Sequence, residues 1–363
     1  MKRICFVHAG LEQHGGIGRV VSIIANGLSR ETDIEVLIVS FFKESGRDVY
    51  VLNENIKTFN LFDSRISMKK ALLSGGICRL YEIVRDNSVD VIIACGALYY
   101  PLVVTVAKLS RIKSVCWEHT NPEYGNDHNF QKYCRAIGAN HSDVNILIAK
   151  DSVKYYCEKL RVDNNRLIYN PADELLFKKT VKYNTNSRKI VSVGRLSYPK
   201  NYMCLLDVAQ NVLQHNAEWS WDIYGDGEDR KILENRIVDL GLTDRVTLKG
   251  NSSNIYSLYD NYAIMVMTSR YEGFPMVLIE AASRGLPLVS FDIHTGPNEI
   301  IVNGVNGYLI NKGDVVGMSE KISLLIQDSA LRKAFSKEAI KSVERFREQP
   351  IIDKWIELIK ELD

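Results

Sequence analysis

Short apolar runs alternate with helical periodicity along the chain. In the first half, runs rich in β-branched residues predict strands at 4–7, 34–39, 89–94, 114–117 and 144–149, and helices are predicted at 19–29, 77–85 and 151–160. The alternation then starts again, with strands predicted at 189–193, 220–224, 246–248, 263–268 and 288–291 and helices at 204–214 and 228–240. Strands that alternate with helices imply βαβ units around a parallel sheet. We therefore predict an α/β protein with two doubly wound, Rossmann-like domains.

A polar and basic stretch, KKTVKYNTNSRK, separates the two series. It has no apolar periodicity, which is typical of a linker. The predicted domains are residues 1–177 and 178–345. Ligands of doubly wound sheets bind beyond the carboxyl ends of the strands, so we expect the active site in a cleft between two facing domains.

Composition excludes several classes of protein. The chain has 363 residues, 46% of them hydrophobic, and a net charge of +2, so no global basic field indicates a nucleic-acid partner. Its seven cysteines contain no CxxC pair, which disfavours a disulfide framework or structural zinc and favours a reducing compartment. The longest uncharged run, residues 91–107, falls short of the ~20 residues of a membrane span. Without a signal-peptide pattern either, the predicted location is cytoplasmic.

The segment SRYEGFPMVLIEA, residues 269–281, follows an apolar strand and is the most informative part of the chain. Pro275 suits the first position of a helix. The free backbone N–H groups near Phe274, Met276 and Val277 would then form an anion site, assisted by the helix dipole.

Two carboxylates belong to this segment. Glu272 precedes the helix and Glu280 lies eight residues later on it. Carboxylates accept hydrogen bonds from sugar or ribose hydroxyls, so the pair could hold two parts of one extended ligand. The alternative is that Glu272 caps the helix and Glu280 is solvated.

Two cations follow the first strand of the second domain, within GRLSYPKN. Arg195 offers forked contacts and Lys200 a point charge, a combination that suits a diphosphate. The alternative is a surface loop with two solvated basic residues. The sequence contains no Asp-x-Asp, HExxH or Walker motif, so we predict no metal and no cofactor. These cations and the helix terminus would take a metal's place.

Two segments of the first domain are also candidates. HGGIGR, residues 14–19, is a glycine loop that could close over a phosphate or acceptor. It matches the dinucleotide fingerprint poorly, since Val21 occupies the place of the third glycine, and it could be only a flexible turn. In the strand end WEHT, we expect Glu118 and His119 to face the cleft, where His119 could hydrogen-bond or transfer a proton. A structural histidine is the alternative.

Together these segments resemble the family 4 retaining glycosyltransferases, which have the GT-B fold, and the resemblance covers essentially the whole chain. Its most specific element is the pair Glu272 and Glu280 with seven residues between them. Further matches are Gly194-Arg195-Leu196 with Lys200-Asn201, Tyr224-Gly225-Asp226-Gly227, Asn170-Pro171 and Asn303-Gly304-Val305-Asn306-Gly307. The segment ending in His119 is similar to bacterial members that build O-antigen, capsule or lipid-linked oligosaccharide.

The resemblance implies roles for these residues. Arg195 and Lys200, next to Gly194, would bind the donor diphosphate, and Glu272 would hold sugar hydroxyls. Gly273 and Phe274 would lie beside the sugar, Met276 and Val277 would offer N–H groups to phosphate, and Glu280 would bind the ribose. In the first domain His119 would lie near the reacting face of the sugar. Gly15 and Gly16 would line the donor or acceptor side. Gly16 and Gly18 are alternative candidates for the key glycine of this loop. A terminal helix at 346–363 would pack back on the first domain.

The implied reaction transfers a hexose or N-acetylhexosamine from a nucleotide sugar, predicted to carry UDP, to a lipid-linked or glycan acceptor. Retention would need no enzyme nucleophile. The alternatives are a sugar-nucleotide epimerase or phosphorylase, and a non-catalytic nucleotide-sugar-binding protein. Two stretches without acids, 64–80 and 97–117, mix basic and apolar residues. They suggest peripheral contact with an anionic membrane, or else ordinary helix faces.

Overall fold

The computed structural model describes residues 1–10, 16–42, 50–64, 66–123, 129–178, 181–252 and 254–362. They form two units, Met1–Pro171 with Glu348–Asp363, and Ala172–Arg347.

Unit 1 is built on a seven-stranded parallel sheet with the strand order β3-β2-β1-β4-β5-β6-β7. Its strands are β1 (Lys2–His8), β2 (Ile34–Ser40), β3 (Lys57–Asn60), β4 (Val91–Cys95), β5 (Lys113–Glu118), β6 (Val144–Leu147) and β7 (Asn165–Leu167). Its first helices are α1 (Gly16–Leu28), α2 (Met68–Leu73), α3 (Gly76–Asp86), α4 (Tyr100–Ser110), α5 (Asn129–His141) and α6 (Lys150–Glu158).

Unit 2 has a six-stranded parallel sheet with the order β10-β9-β8-β11-β12-β13. The strands are β8 (Lys189–Val193), β9 (Ser220–Tyr224), β10 (Val246–Gly250), β11 (Ile264–Met267), β12 (Leu288–Asp292) and β13 (Gly307–Asn311). The helices are α7 (Tyr202–Leu213), α8 (Arg230–Asp239), α9 (Ile255–Leu258), α10 (Met276–Ser283), α11 (Pro297–Ile300), α12 (Val315–Gln327) and α13 (Ser329–Val343). In this doubly wound order the strand sequence reverses between β8 and β11, which is where such sheets bind ligands.

The last helix, α14 (Glu348–Glu361), belongs to unit 1. Trp355 packs edge-on against Trp117, with ring centroids 4.6 Å apart. A Cβ on Gly27 would lie 2.0 Å from Cδ1 of Ile352, so the glycine lets α1 and α14 approach closely. Apolar packing of this kind fixes α14 on the sheet of unit 1.

The predicted α/β class with two parallel sheets is confirmed, and each predicted strand is present. The chain passes from unit 1 to unit 2 after Pro171, six residues before the predicted boundary at 177/178. The segment after Pro171 is held by unit 2, because Glu174 pairs with Arg347 at 2.8 Å and the Leu176 carbonyl accepts from Arg284 at 3.2 Å. Within the described ranges, no helix is both long and apolar enough to span a bilayer.

Candidate functional site

The loop between β11 and α10 holds Glu272 in a defined position. Oε1 of Glu272 accepts hydrogen bonds from Nζ of Lys200 and Oγ of Ser269, each at 2.6 Å. The side chains of Glu272 and Lys200 are 11% and 22% exposed. A largely buried carboxylate and ammonium therefore lie together at the strand reversal of unit 2, where sheets of this kind bind ligands.

The loop after β8 brings Lys200 to this place. Lys200 ends a 3-10 turn (Tyr198–Lys200), and the next residue, Asn201, is left-handed with a φ of 57°. Oγ1 of Thr268 donates to the carbonyls of Lys200 and Asn201 at 3.3 and 3.2 Å. The Arg270 N–H donates to the Pro199 carbonyl at 2.7 Å. The loops after β8 and β11 are thus joined through their main chains.

Glycines explain why the motifs at 194–196 and 224–227 occur together. A Cβ on Gly225 would lie 2.0 Å from the carbonyl oxygen of Gly194, and one on Gly227 would lie 2.3 Å from that of Leu196. Only glycine permits so close a contact between two backbones. The hydroxyl of Tyr202 also donates to the Gly194 carbonyl at 3.1 Å, which fixes the loop that carries Lys200.

The start of α10 differs from the prediction. Pro275 is the residue before the helix, with a φ of −78° and a ψ of 84°, and the first helical residue is Met276. The Met276 N–H was predicted to serve a phosphate, but it donates to the Phe274 carbonyl at 2.9 Å. The Val277 N–H has no acceptor among the described residues. The ring of Phe274 is buried against Phe346, with centroids 5.5 Å apart, so this side chain supports the loop.

Glu280 is buried on α10, so it is not a solvated residue as the alternative assumed. It is 8% exposed, and its Oε2 accepts from the hydroxyl of Tyr259 at 3.2 Å. Burial, with the nearby carboxylate of Glu280, raises the pKa of Tyr259 well above its usual range. Tyr259 therefore stays a hydrogen-bond donor that orients Glu280.

Arg195 and Lys200 pair with different carboxylates. The side chain of Arg195 is 74% exposed and pairs with Glu228 at 3.3 Å, whereas Lys200 pairs with Glu272. The two predicted cations therefore do not share a carboxylate partner in the structure. The predicted loop residues Gly194 and Gly273 lie next to Arg195 and Glu272 in the chain.

In unit 1, His119 is buried against Trp117, with ring centroids 4.2 Å apart. Both ring nitrogens lack a hydrogen-bond partner among the described residues. Burial, with a smaller contribution from His8, lowers the pKa of His119 to about 3. Burial likewise lowers the pKa of His8 to about 4, and Nδ1 of His8 accepts from the Gly10 N–H at 3.1 Å. Both imidazoles are neutral at physiological pH.

Sequence reasoning missed His8. It is the last residue of β1, and the rule that ligands lie beyond strand ends could have identified it. A Cβ on Gly18 would lie 3.7 Å from Cε1 of His8, so this glycine borders the histidine. Gly16 is the first residue of α1, and no described residue lies within 4 Å of a Cβ placed there. Gly15 lies outside the described residues.

The expectation that Glu118 faces the cleft is wrong, because this carboxylate is completely buried. It accepts from Nε of Arg135 at 2.7 Å, the Tyr156 hydroxyl at 3.1 Å and the Thr120 hydroxyl at 2.6 Å. The carboxylate also accepts from the Thr120 N–H at 3.1 Å, whereas the His119 ring lies against Trp117. Glu118 is part of the core of unit 1.

The two neutral histidines predict that unit 1 loses stability in acid. Unfolding returns each pKa to about 6.5, so between that pH and about 4 the unfolded chain binds protons that the native chain does not. The free energy of unfolding should fall by about 1.4 kcal/mol per histidine for each pH unit in this window. Urea unfolding at about pH 7 and about pH 5 measures the slope.

The variant H119N should lose about half of this pH dependence. His215→Asn is the control, since His215 is exposed in unit 2 and its loss should leave the slope unchanged. Equal slopes for H119N and the unchanged chain would contradict the interpretation.

Both halves of the chain match glycosyltransferase family models. Residues 173–342 match "Glycosyl transferases group 1" and residues 14–174 match "Glycosyltransferase Family 4". A relative over the full length is the amylovoran biosynthesis glycosyltransferase AmsD of Erwinia amylovora, 28% identical over 99% of this chain and 100% of its own. Another, from Campylobacter jejuni, is 25% identical over 100% of this chain and 99% of its own. It is named as an α-1,4-N-acetyl-D-galactosaminyltransferase acting on a diphospho-undecaprenol-linked glycan.

Solved structures share the fold. Anabaena HepE with UDP and glucose gives a TM-score of 0.85 at 20% identity, over 100% of both chains. Staphylococcus aureus TarM gives 0.84 at 17% identity, over 99% of this chain and 99% of its own. The fold and the matched models define a glycosyltransferase, which confirms the enzyme class predicted from the sequence. The chain belongs to the glycosyltransferases with the GT-B fold.

Proposed function

We propose that the chain is a retaining, family 4 glycosyltransferase that moves a hexose or N-acetylhexosamine from a UDP-sugar to a lipid-linked or glycan acceptor. The pathway is the synthesis of a bacterial surface polysaccharide, such as O-antigen, capsule or exopolysaccharide. The observation that carries the proposal is the cluster of Lys200, Glu272 and Ser269 at the strand reversal of unit 2, with Glu280 buried on the adjoining helix.

The relatives support the finer parts of this proposal. AmsD is named for the biosynthesis of a polysaccharide, and the Campylobacter relative for transfer to an undecaprenol-linked glycan. Partial relatives of this chain are an α-glucosyltransferase of Bacillus subtilis and an α-N-acetylglucosaminyltransferase of Staphylococcus aureus. An α product formed from an α-linked nucleotide sugar retains the anomeric configuration, which favours a retaining reaction.

Donor binding would replace the contact between Lys200 and Glu272 by contacts of each residue with the donor. A diphosphate would draw the ammonium of Lys200 from Glu272 and accept from the Val277 N–H, with the dipole of α10 in support. The released carboxylate of Glu272 would accept from sugar hydroxyls, while Glu280 would accept from ribose hydroxyls. Arg195 would supply a more distant charge at the rim.

The chemical step separates charge. Breaking the sugar–phosphate bond leaves positive charge on the sugar carbon and negative charge on the diphosphate, which Lys200 and the helix amides stabilise. The acceptor oxygen bonds to that carbon on the face that the diphosphate leaves, and a phosphate oxygen takes the acceptor proton. No enzyme nucleophile is needed. Neutral His119 could donate one hydrogen bond to a hydroxyl and accept another.

Nucleotide binding tests the donor assignment. UDP at about 100 times its Kd should stabilise the folded chain by about 2.7 kcal/mol, visible as a higher melting temperature. CDP, ADP, GDP and dTDP at equal concentration should give smaller shifts, and transfer from a UDP-sugar should release UDP. Equal shifts from all nucleotides would contradict the choice of UDP.

Metal independence is part of the proposal. The described residues contain no group of three or more His, Cys, Asp or Glu side chains that could hold a metal ion. We expect transfer to continue in excess EDTA, because Lys200 and α10 supply the positive potential. Loss of transfer on chelation, restored by Mg²⁺ or Mn²⁺, would contradict it.

Peripheral contact with the inner face of the cytoplasmic membrane is proposed for the carboxyl end of α4. Lys108, Leu109 and Arg111 are exposed there. In the other basic stretch Met68 and Leu80 are buried, which favours an ordinary helix face, while Arg65 lies outside the described residues. Basic residues near an anionic surface contribute about 1 kcal/mol each.

Vesicle flotation measures this contact. The double variant K108A/R111A should bind vesicles with anionic lipid at least about tenfold more weakly at low salt. Lys231→Ala is the control, because Lys231 is an exposed lysine on α8 of unit 2. Unchanged flotation of K108A/R111A would contradict the proposed surface.

A further inference from the structure

The turn between β12 and α11 contains a residue in an unfavourable conformation. Thr295 has a φ of +69° and is 2% exposed. The other described residues with positive φ, apart from glycines, are Ser88, Arg111, Arg161 and Asn201, and none of them is β-branched. A β-branched side chain in this region is strained, and such strain persists where the surroundings hold it, often beside a functional site.

The Thr295 hydroxyl is bonded to the loop that carries Glu272. Its hydrogen is shared between the main-chain carbonyl of Glu272 and that of His294. The next residue, Gly296, lies directly against the same loop, since a Cβ there would be 2.2 Å from Cδ of Pro275. The turn after β12 therefore packs directly against the loop 272–275.

This contact fixes two groups at once. The carbonyl of Glu272 and the N–H of Gly273 belong to one planar peptide and point in opposite directions. Holding the carbonyl toward Thr295 therefore aims the Gly273 N–H away from the turn. The Glu272 carboxylate has contacts of its own to Lys200 and Ser269. In the proposed function a diphosphate displaces the Lys200 contact, whereas the main-chain bond to Thr295 stays in place.

We propose that Thr295 is a positioning residue for the transfer reaction. Through its bond to the Glu272–Gly273 peptide, Thr295 directs the Gly273 N–H and the Glu272 carboxylate toward the donor sugar. The inference rests on the proposed function, in which Glu272 binds that sugar. Glycine would adopt this φ without strain, but it has no hydroxyl. Threonine at this position lowers local stability through backbone strain, and its hydroxyl fixes the orientation of the loop that carries Glu272.

Three variants separate these effects. T295S keeps the hydroxyl, T295G removes both hydroxyl and strain, and T295V keeps the branch without the hydroxyl. We expect T295S to stay within about twofold of the unchanged chain in kcat, and T295G to lose about tenfold or more, because small misplacements of reacting groups are costly. The melting temperature of T295G should change by no more than a few degrees, since relief of strain offsets the lost hydrogen bond.

Initial rates with the UDP-sugar, resolved into kcat and KM, are the measurement. UDP binding by T295G should be unchanged, because the proposed contact is to the sugar. S88G is the matched control, since Ser88 also has positive φ but is exposed on unit 1, and its kinetics should not change.

Unchanged kcat for T295G would overturn the proposal, and so would equal losses for T295S and T295G. If T295V does not fold, the serine and glycine variants still decide. A chain that transfers no sugar from any nucleotide sugar would contradict the proposed function and the inference with it, whereas normal transfer by both the unchanged chain and T295G would contradict the inference alone.

Discussion

Replacing Lys200 by methionine is expected to lower kcat/KM by roughly 10²–10³, the usual effect of removing one group that stabilises developing charge. Methionine keeps much of the apolar stem and removes the ammonium that lies 2.6 Å from Glu272. E272Q should cause a comparable loss, because its neutral amide binds sugar hydroxyls more weakly than a carboxylate does. Steady-state rates with the UDP-sugar and acceptor measure both.

The double variant K200M/E272Q separates catalysis from structure. If Lys200 and Glu272 only stabilise each other, removing both charges should restore much of the activity, since no unpaired charge remains. Our proposal expects the double variant to be at least as impaired as either single variant. Lys231→Met is the control, because Lys231 is 81% exposed on α8. Activity of K200M near that of Lys231→Met would contradict the assigned role.

The second large effect concerns stability rather than chemistry. E118Q should reduce the free energy of unfolding of unit 1 by about 3–5 kcal/mol, because it removes the negative charge that pairs with the buried Arg135 guanidinium. The side chains of Arg135 and Glu118 are 2% and 0% exposed. The melting temperature should fall by roughly 2–4 °C for each kcal/mol, which scanning calorimetry measures.

A surface pair provides the control for E118Q. Glu35 contacts Arg3 and Lys57 in the same unit, but those partners are 36% and 56% exposed. Exposed pairs contribute about 0–1 kcal/mol, so E35Q should change the melting temperature little. Replacing both Glu118 and Arg135 by apolar residues should cost less than E118Q alone. Equal effects of E118Q and E35Q would be incompatible with a buried ion pair that supports the fold.

The strands that sequence reasoning missed have a common physical cause. The strands β3, β7 and β13 were not predicted, and each lies at an edge of its sheet. Edge strands bury less side-chain surface than central ones, so their hydrophobic pattern is weaker. β7, with the sequence NRL, has no buried residue at all. The central strands bury most of their residues and were predicted.

The sequence predicted which residue types form the candidate site, but it did not predict that Lys200 and Glu272 contact each other. Glycines and a proline marked the loops that carry Glu272 and Lys200, yet the contact between these two residues joins positions 72 apart in the chain. Only the strand order places them together. For Glu118, the buried contacts with Arg135 and Tyr156 likewise join positions 17 and 38 apart in the chain. Thr295 gave no signal, since a positive φ is not visible in a threonine.

The placement of α14 has a consequence for how the polypeptide is made. Unit 1 is discontinuous in sequence, with all of unit 2 inserted between Pro171 and Glu348. As synthesis proceeds from the amino terminus, unit 2 has its whole sequence before unit 1 does. The indole of Trp355 packs on the ring of Trp117, so this ring stays uncovered on that side until Trp355 has been translated. A nascent chain should therefore present an unfinished apolar surface that chaperones can bind until α14 emerges from the ribosome.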